Sequence, residues 1–121
     1  MLKQNFINRA IIEASRSTFK QRVGCVIFKG NRIISTGYNI KRHSWRLPDK
    51  YKKWLNSLHA EQKAIIYCDK DIRRSSILVV RLSAHDDLAM AKPCDMCMGL
   101  IIDSGIKNIY YSDNDGQIGE L

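Results

Sequence analysis

The run AMAKPCDMCMGLIIDSGIKNIYY, residues 89–111, carries two thiols, Cys94 and Cys97, directly behind Pro93 and at the head of an apolar stretch. The stretch CDMCMGLIIDSG (94–105) reads as a helix stopped by Gly105, and IKNIYYS (106–112) as a strand. At the head of a helix, residues i and i+3 share one side, about 5–6 Å apart at Cβ. The helix dipole favours them as thiolates, and Pro93 fits there because its missing N–H costs nothing. Three readings of the pair are open: half of a structural zinc site, a redox couple, or two ligands of a catalytic metal.

Working outward, FINRAIIEAS spaces Phe6, Ala10, Ile11 and Ala14 at helical intervals, which predicts an amphipathic helix over 3–18. RVGCVIFKGNRIISTGYNI (22–40) splits into two β-rich runs at Gly30-Asn31, a pair suited to a hairpin turn. LHAEQKAIIYC predicts a helix from about 58 to 69, and SSILVVRLS a strand apolar enough to be covered on both faces. Residues 84–93 read as a loop, and DNDG (113–116) turns the chain into a short tail. The order α, β, β, α, β, α, β argues for an α/β sandwich with a mixed sheet. From the second strand onward the connections should be helical crossovers, with those strand pairs largely parallel. With no internal repeat or linker, 121 residues form a single domain, 1–121.

The cysteine count narrows the three readings. Cys25 in VGCVIF and Cys68 in AIIYC sit in apolar runs and are expected to be buried core residues. A structural zinc site needs four protein ligands, commonly two close pairs, and a second close pair is missing. A redox couple leaves His59 and Glu61 unexplained. A catalytic zinc site needs three protein ligands and an open position, and His59, heading another helix, is the best third ligand. Glu61 would then take a proton from water and deliver it to a ring nitrogen and to departing ammonia. In an ideal helix, however, positions i and i+2 point about 200° apart, so spacing alone does not bring His59 and Glu61 together.

His59-Ala60-Glu61, with Pro93-Cys94-Asp95-Met96-Cys97 following, resembles the zinc-dependent cytidine and deoxycytidylate deaminase superfamily, whose signature is H-x-E…P-C-x-x-C. VGCVIFKGNRIISTGYN resembles the family's first hairpin and SGIKNIYYS its strand after the cysteine helix, so the likeness runs from about residue 5 to 112. It implies a cytidine deaminase-like three-layer α/β/α sandwich, one Zn2+ per chain held by His59, Cys94 and Cys97, and Glu61 as the proton shuttle. It also implies substrate contacts from Val23, Gly24, Asn39, Ala60 and Pro93, although Asn39 equally suits a strand-end turn. The family fold has five strands, and here the last strand and helix look missing or much reduced. Relatives often assemble as homo-oligomers.

The resemblance implies hydrolytic deamination of cytosine to uracil in a nucleoside or nucleotide, of the deoxycytidylate type. Two alternatives are a deaminase acting on cytosine or adenine in single-stranded DNA or RNA, and a non-catalytic zinc-stabilised binding module. Glu61 speaks against the module. Lys92 speaks against adenosine in tRNA, because those relatives usually carry glutamate there.

The net charge is +8, and KRHSWRLPDKYKKW (41–54) supplies five of it, six Lys or Arg against one Asp. Such an excess favours an anionic partner. Arg42, Trp45, Arg46, Lys50, Lys52 and Lys53 are candidate contacts, either to a nucleotide's phosphate or, with aromatic stacking, to a single strand. No run approaches the roughly 20 apolar residues of a membrane span, and no signal-peptide pattern opens the chain, so a cytoplasmic protein with reduced thiols is expected.

Overall fold

The computed structural model describes residues 2–41 and 58–121. The elements run α1 (Gln4–Ser15), β1 (Arg22–Lys29), β2 (Arg32–Tyr38), α2 (Ala60–Ile66), β3 (Ser76–Leu82), β4 (Leu88–Ala89), α3 (Asp95–Asp103), β5 (Asn108–Ser112) and β6 (Ile118–Glu120). The basic segment 41–54 falls, beyond Lys41, outside the described residues.

The sheet order is β2-β1-β3-β5-β6, with β4 paired to the end of β3. β1 and β2 form the expected hairpin, Lys29 opposite Arg32, and the two-residue turn is made by positive φ (57°) at Gly30. β3 and β5 are parallel, joined through α3. The neighbour of β3 on its other side is β1, and that pair is antiparallel. The crossover from β2 through α2 therefore passes over β1: β2 and β3 run in the same direction without touching. This corrects the expectation of parallel pairing from β2 onward.

Alternation along the central strands divides the core into two layers. Val26, Phe28, Leu78, Val80 and Leu82 pack with Phe6, Ala10 and Ala14 of α1. Cys25, Ile27, Ile77 and Val79 face the other way, against Ala60 and Ala64 of α2 and Ile101 of α3. A sheet buried on both faces explains the nearly unbroken apolar run of β3. The architecture is the expected three-layer α/β/α sandwich.

Some elements differ from expectation. α1 and α2 are shorter at both ends, and His59 caps α2 in an extended conformation (φ −72°, ψ 158°) instead of lying inside it. Cys68 lies beyond the last turn of α2 and is only half-buried, whereas Cys25 is fully buried as expected. Within the expected loop 84–93, a tight turn brings Leu88 and Ala89 back alongside Leu82 and Arg81. The expected tail pairs with β5 as β6, so the sheet gains a short antiparallel strand on the far side of β5.

Glycine sets how close α1 lies to the sheet. A Cβ on Gly24 of β1 would overlap the Ala10 carbonyl and the Ala14 amide, both backbone. Gly24→Ala should therefore push α1 outward and lower stability by about 1–3 kcal/mol, read as a lower urea midpoint. An unchanged midpoint would show that helix and strand are not in backbone contact.

Candidate metal centre and active site

The two motifs meet on the face of the sheet opposite α1. The chain leaves the carboxyl end of β2 and returns at Leu58, whose backbone exchanges hydrogen bonds with Ile40 (2.8 and 3.0 Å). His59 follows as the N-cap of α2, and Cys94 occupies the same position on α3. Both helices thus start at the carboxyl ends of strands, where open α/β sheets leave a crevice.

The donors converge. His59 Nδ1 lies 3.2 Å from Cys97 Sγ and 3.9 Å from Cys94 Sγ, and all three donor atoms fall within 4.8 Å of one another. Tetrahedral zinc with bonds of about 2.3 Å to sulfur and 2.0–2.1 Å to nitrogen places its ligand atoms roughly 3.5–3.8 Å apart. The cluster therefore has the donor set and the dimensions for zinc, with three protein ligands and one side open. A hydrogen bond between the two thiols drives them apart in acidity. Cys94 is pulled down to about 5, chiefly by the hydrogen bond with the Cys97 thiol, with help from the amides at the head of α3. Cys97, buried and on the other side of that hydrogen bond, is pushed upward. A metal binds cysteines as thiolates, so its binding at such a pair releases protons.

Glu61, buried, sits at the second position of α2 and lines the same cavity. Its carboxyl is raised above the ordinary value by burial, against a lowering by a backbone hydrogen bond and His59. The apparent conflict between i and i+2 disappears because His59 is a cap: its extended backbone turns the imidazole toward the cysteines without helical phase. Gln62 fixes the cap. Its Oε1 accepts from the His59 amide at 2.7 Å, while its Nε2 reaches Met96 Sδ of α3 at 3.8 Å. Gln62 was not singled out from sequence, although a polar residue three after a cap is the mark of a capping box.

A cavity of about 530 Å³ opens in front of the cluster, within the usual range for small-molecule sites. Val23, Asn39, Ala60 and Glu61 line it together with His59 and Cys94. Asn39 spans the opening of β1: its Nδ2 donates to the Gln21 carbonyl (2.7 Å), and its Oδ1 accepts from the Val23 amide (3.0 Å). Among the described residues, its second amide proton has no acceptor, and Asn39 lines the cavity. Gly24 and Pro93 are not among the lining residues. Gly24 faces α1 across the sheet, and Pro93 is buried behind the head of α3. Arg42, Trp45, Arg46, Lys50, Lys52 and Lys53 lie outside the described residues.

Several lining residues carried no motif: Phe19, Lys20, Gln21, Arg81, Met90 and Lys92. Met90 and Lys92 reach the cavity through the turn that creates β4. Buried Ser112 ties this segment down, donating to the Ala89 carbonyl (2.6 Å), while its own carbonyl accepts from the Ala91 amide (2.9 Å). Arg81 could have been noticed as the lone charge inside ILVVRL.

Residues 1–113 match the cytidine and deoxycytidylate deaminase zinc-binding region. The chain belongs to that family. A deoxycytidylate deaminase of Mycobacterium phage D29 is 30% identical over 88% of this chain and 90% of its own length. An uncharacterized deaminase of Aliivibrio fischeri is 34% identical over 74% of this chain, which spans 56% of that relative. The crystal structure of the dCMP deaminase from cyanophage S-TIM5 in apo form superposes with a TM-score of 0.68, at 21% identity, over 93% of this chain and 86% of that one. The deaminase-family cofactor is one zinc ion, and the fit of His59, Cys94 and Cys97 agrees with it. Among the described residues no helix is long and apolar enough to cross a membrane.

Zinc content measured on the purified protein checks the ligand set. Cys97→Ala should bring it from about one ion per chain to near zero, while Cys68→Ala keeps it. Retention by Cys97→Ala would remove Cys97 from the ligands.

Proposed function

We propose that the chain catalyses zinc-dependent hydrolytic deamination of cytosine to uracil in a nucleotide, with deoxycytidylate as the substrate. One observation carries the reading: a buried carboxyl, Glu61, shares a nucleotide-sized cavity with a three-donor metal cluster open on one side. A structural zinc site saturated by protein would need neither the open side nor the acid. The phage D29 relative's name supports the choice of nucleotide.

His59, Cys94 and Cys97 would hold the ion, which when bound makes water acidic enough to act as a nucleophile near neutral pH. Glu61 does the proton work. Its carboxylate takes a proton from the attacking water and passes it to N3 of the ring as the C4–O bond forms. It then carries the remaining proton to the exocyclic nitrogen as the C4–N bond breaks, so that cytosine and water leave as uracil and ammonia. Burial suits this role: a carboxyl raised toward neutrality both accepts and returns a proton readily. Ala60 and Val23 provide the cavity's apolar wall, and Asn39 holds the backbone of residues 21–23 in place along its edge.

The test is a deamination assay on dCMP, deoxycytidine, single-stranded DNA and single-stranded RNA, with Glu61→Gln as the blank. dUMP and ammonia should form from dCMP, and Glu61→Gln should retain zinc while losing at least about 10²–10⁴-fold in kcat. Turnover confined to strands would replace the monomer with nucleic acid. Near-normal turnover by Glu61→Gln would remove the mechanism.

A further inference from the structure

Arg81 is the cationic residue of β3 that faces the site. On this strand Ile77 and Val79 pack toward α2 and α3, whereas Leu78, Val80 and Leu82 pack toward α1. The same alternation turns Arg81 to the metal-cluster side, where it lines the cavity. Its backbone is held firmly: it pairs with Val23 of β1 on one side and Ala89 of β4 on the other, and its amide donates to Ser112 Oγ at 3.2 Å. Its Nε is buried and has no hydrogen-bond partner among the described residues.

A guanidinium is permanently charged and presents a planar fork of donors. A buried donor of this kind left without an acceptor is destabilising, so such groups call for an explanation. Among the described residues that line the cavity, Glu61 is the one carboxylate, and that group lies against the metal cluster. Lys20 and Lys92 line the cavity as well.

We propose that Arg81 is a substrate-specificity residue that binds the phosphate of the nucleotide through its guanidinium fork, with Lys20 and Lys92 adding charge at the rim. Cytosine and deoxyribose are neutral, so the phosphate is the part of the substrate that can meet this demand. Two oxygens of a phosphomonoester match the fork in a way a single carbonyl does not. The assignment rests on the nucleotide reading above, and it places the decisive cation within the sheet and not in the basic segment 41–54.

The experiment compares wild type, Arg81→Gln and Arg81→Lys on dCMP and deoxycytidine, and measures the affinity of each zinc-loaded protein for dUMP and deoxyuridine by calorimetry. Arg81→Gln should lower the dCMP-to-deoxycytidine ratio of kcat/KM about 10–100-fold, and the dUMP-to-deoxyuridine affinity ratio similarly, with Arg81→Lys between the two. If the ratios are unchanged, or both ligands weaken equally, Arg81 does not read the phosphate. If wild type binds dUMP over deoxyuridine through Arg81 but leaves dCMP intact, the deamination reading fails and the phosphate site stands. Should Arg81→Gln melt below the assay temperature, the Arg81→Lys ratios decide alone: a fall supports the assignment, and no change overturns it.

Discussion

The backbone of α2 rests on β2 at Gly37 with room for no side chain between them. A Cβ there would sit 2.5 Å from the Ala60 carbonyl oxygen and 2.8 Å from the Ala64 amide. Ala60 and Ala64 are themselves fully buried, so the contact is as close as a helix and a strand can come. Ser35 adds a hydrogen bond from its hydroxyl to the Ala64 carbonyl at 2.6 Å. This apposition sets the height of the helix over the sheet, and with it the positions of His59 at its cap and Glu61 in its first turn. Protein interiors transmit such constraints because they are close-packed and yield little.

The second motif is placed by a different device. Cys94 caps α3 and accepts from the Cys97 amide, so the two thiols are fixed relative to each other by one helical turn. What fixes them relative to His59 is the Gln62–Met96 contact between the helices, together with Leu58 and Leu100 packed beneath it. Gln62 thus orients the cap residue by its oxygen and touches the partner helix by its nitrogen. A metal ion would tighten the same junction, since its binding free energy becomes part of the stability of whatever it joins.

How much of this could be read beforehand follows from the range of each interaction. Helix heads, the Gly30 turn and the Gly105 stop are set by neighbours within a few residues, and they were legible. The layer structure was legible too, because a strand buried on both faces must be apolar throughout. Pairing was not. Nothing local says that β3 lies beside β1 and not β2, since that choice depends on α2 crossing over β1 and packing on Cys25 and Ile27. β4 and β6 were missed for a different reason: two or three residues carry too little periodicity to register, although each only folds back in a hairpin onto the strand before it. The metal ligands lay at the other extreme. Their chemistry is so restrictive that residue type and spacing nearly determine them, and the one geometric objection, the phase of Glu61 against His59, was a property of ideal helices that an N-cap does not share.

The charge distribution separates two ways of holding an anion. A segment rich in Lys and Arg raises the local concentration of any polyanion, through an effect that salt screens over about 8–10 Å and that distinguishes poorly between a nucleotide and a strand. A guanidinium on a central strand, partly withdrawn from water, acts at contact range and at a fixed angle, so it selects by shape as well as sign. Its backbone here is clamped from three directions, by Val23, Ala89 and Ser112. A side chain whose root is so firmly placed loses less entropy on binding than a lysine on a surface loop, and the affinity it confers is correspondingly specific. The sheet that carries the two cluster-bearing helices therefore also carries Arg81 at a fixed place in the cavity wall.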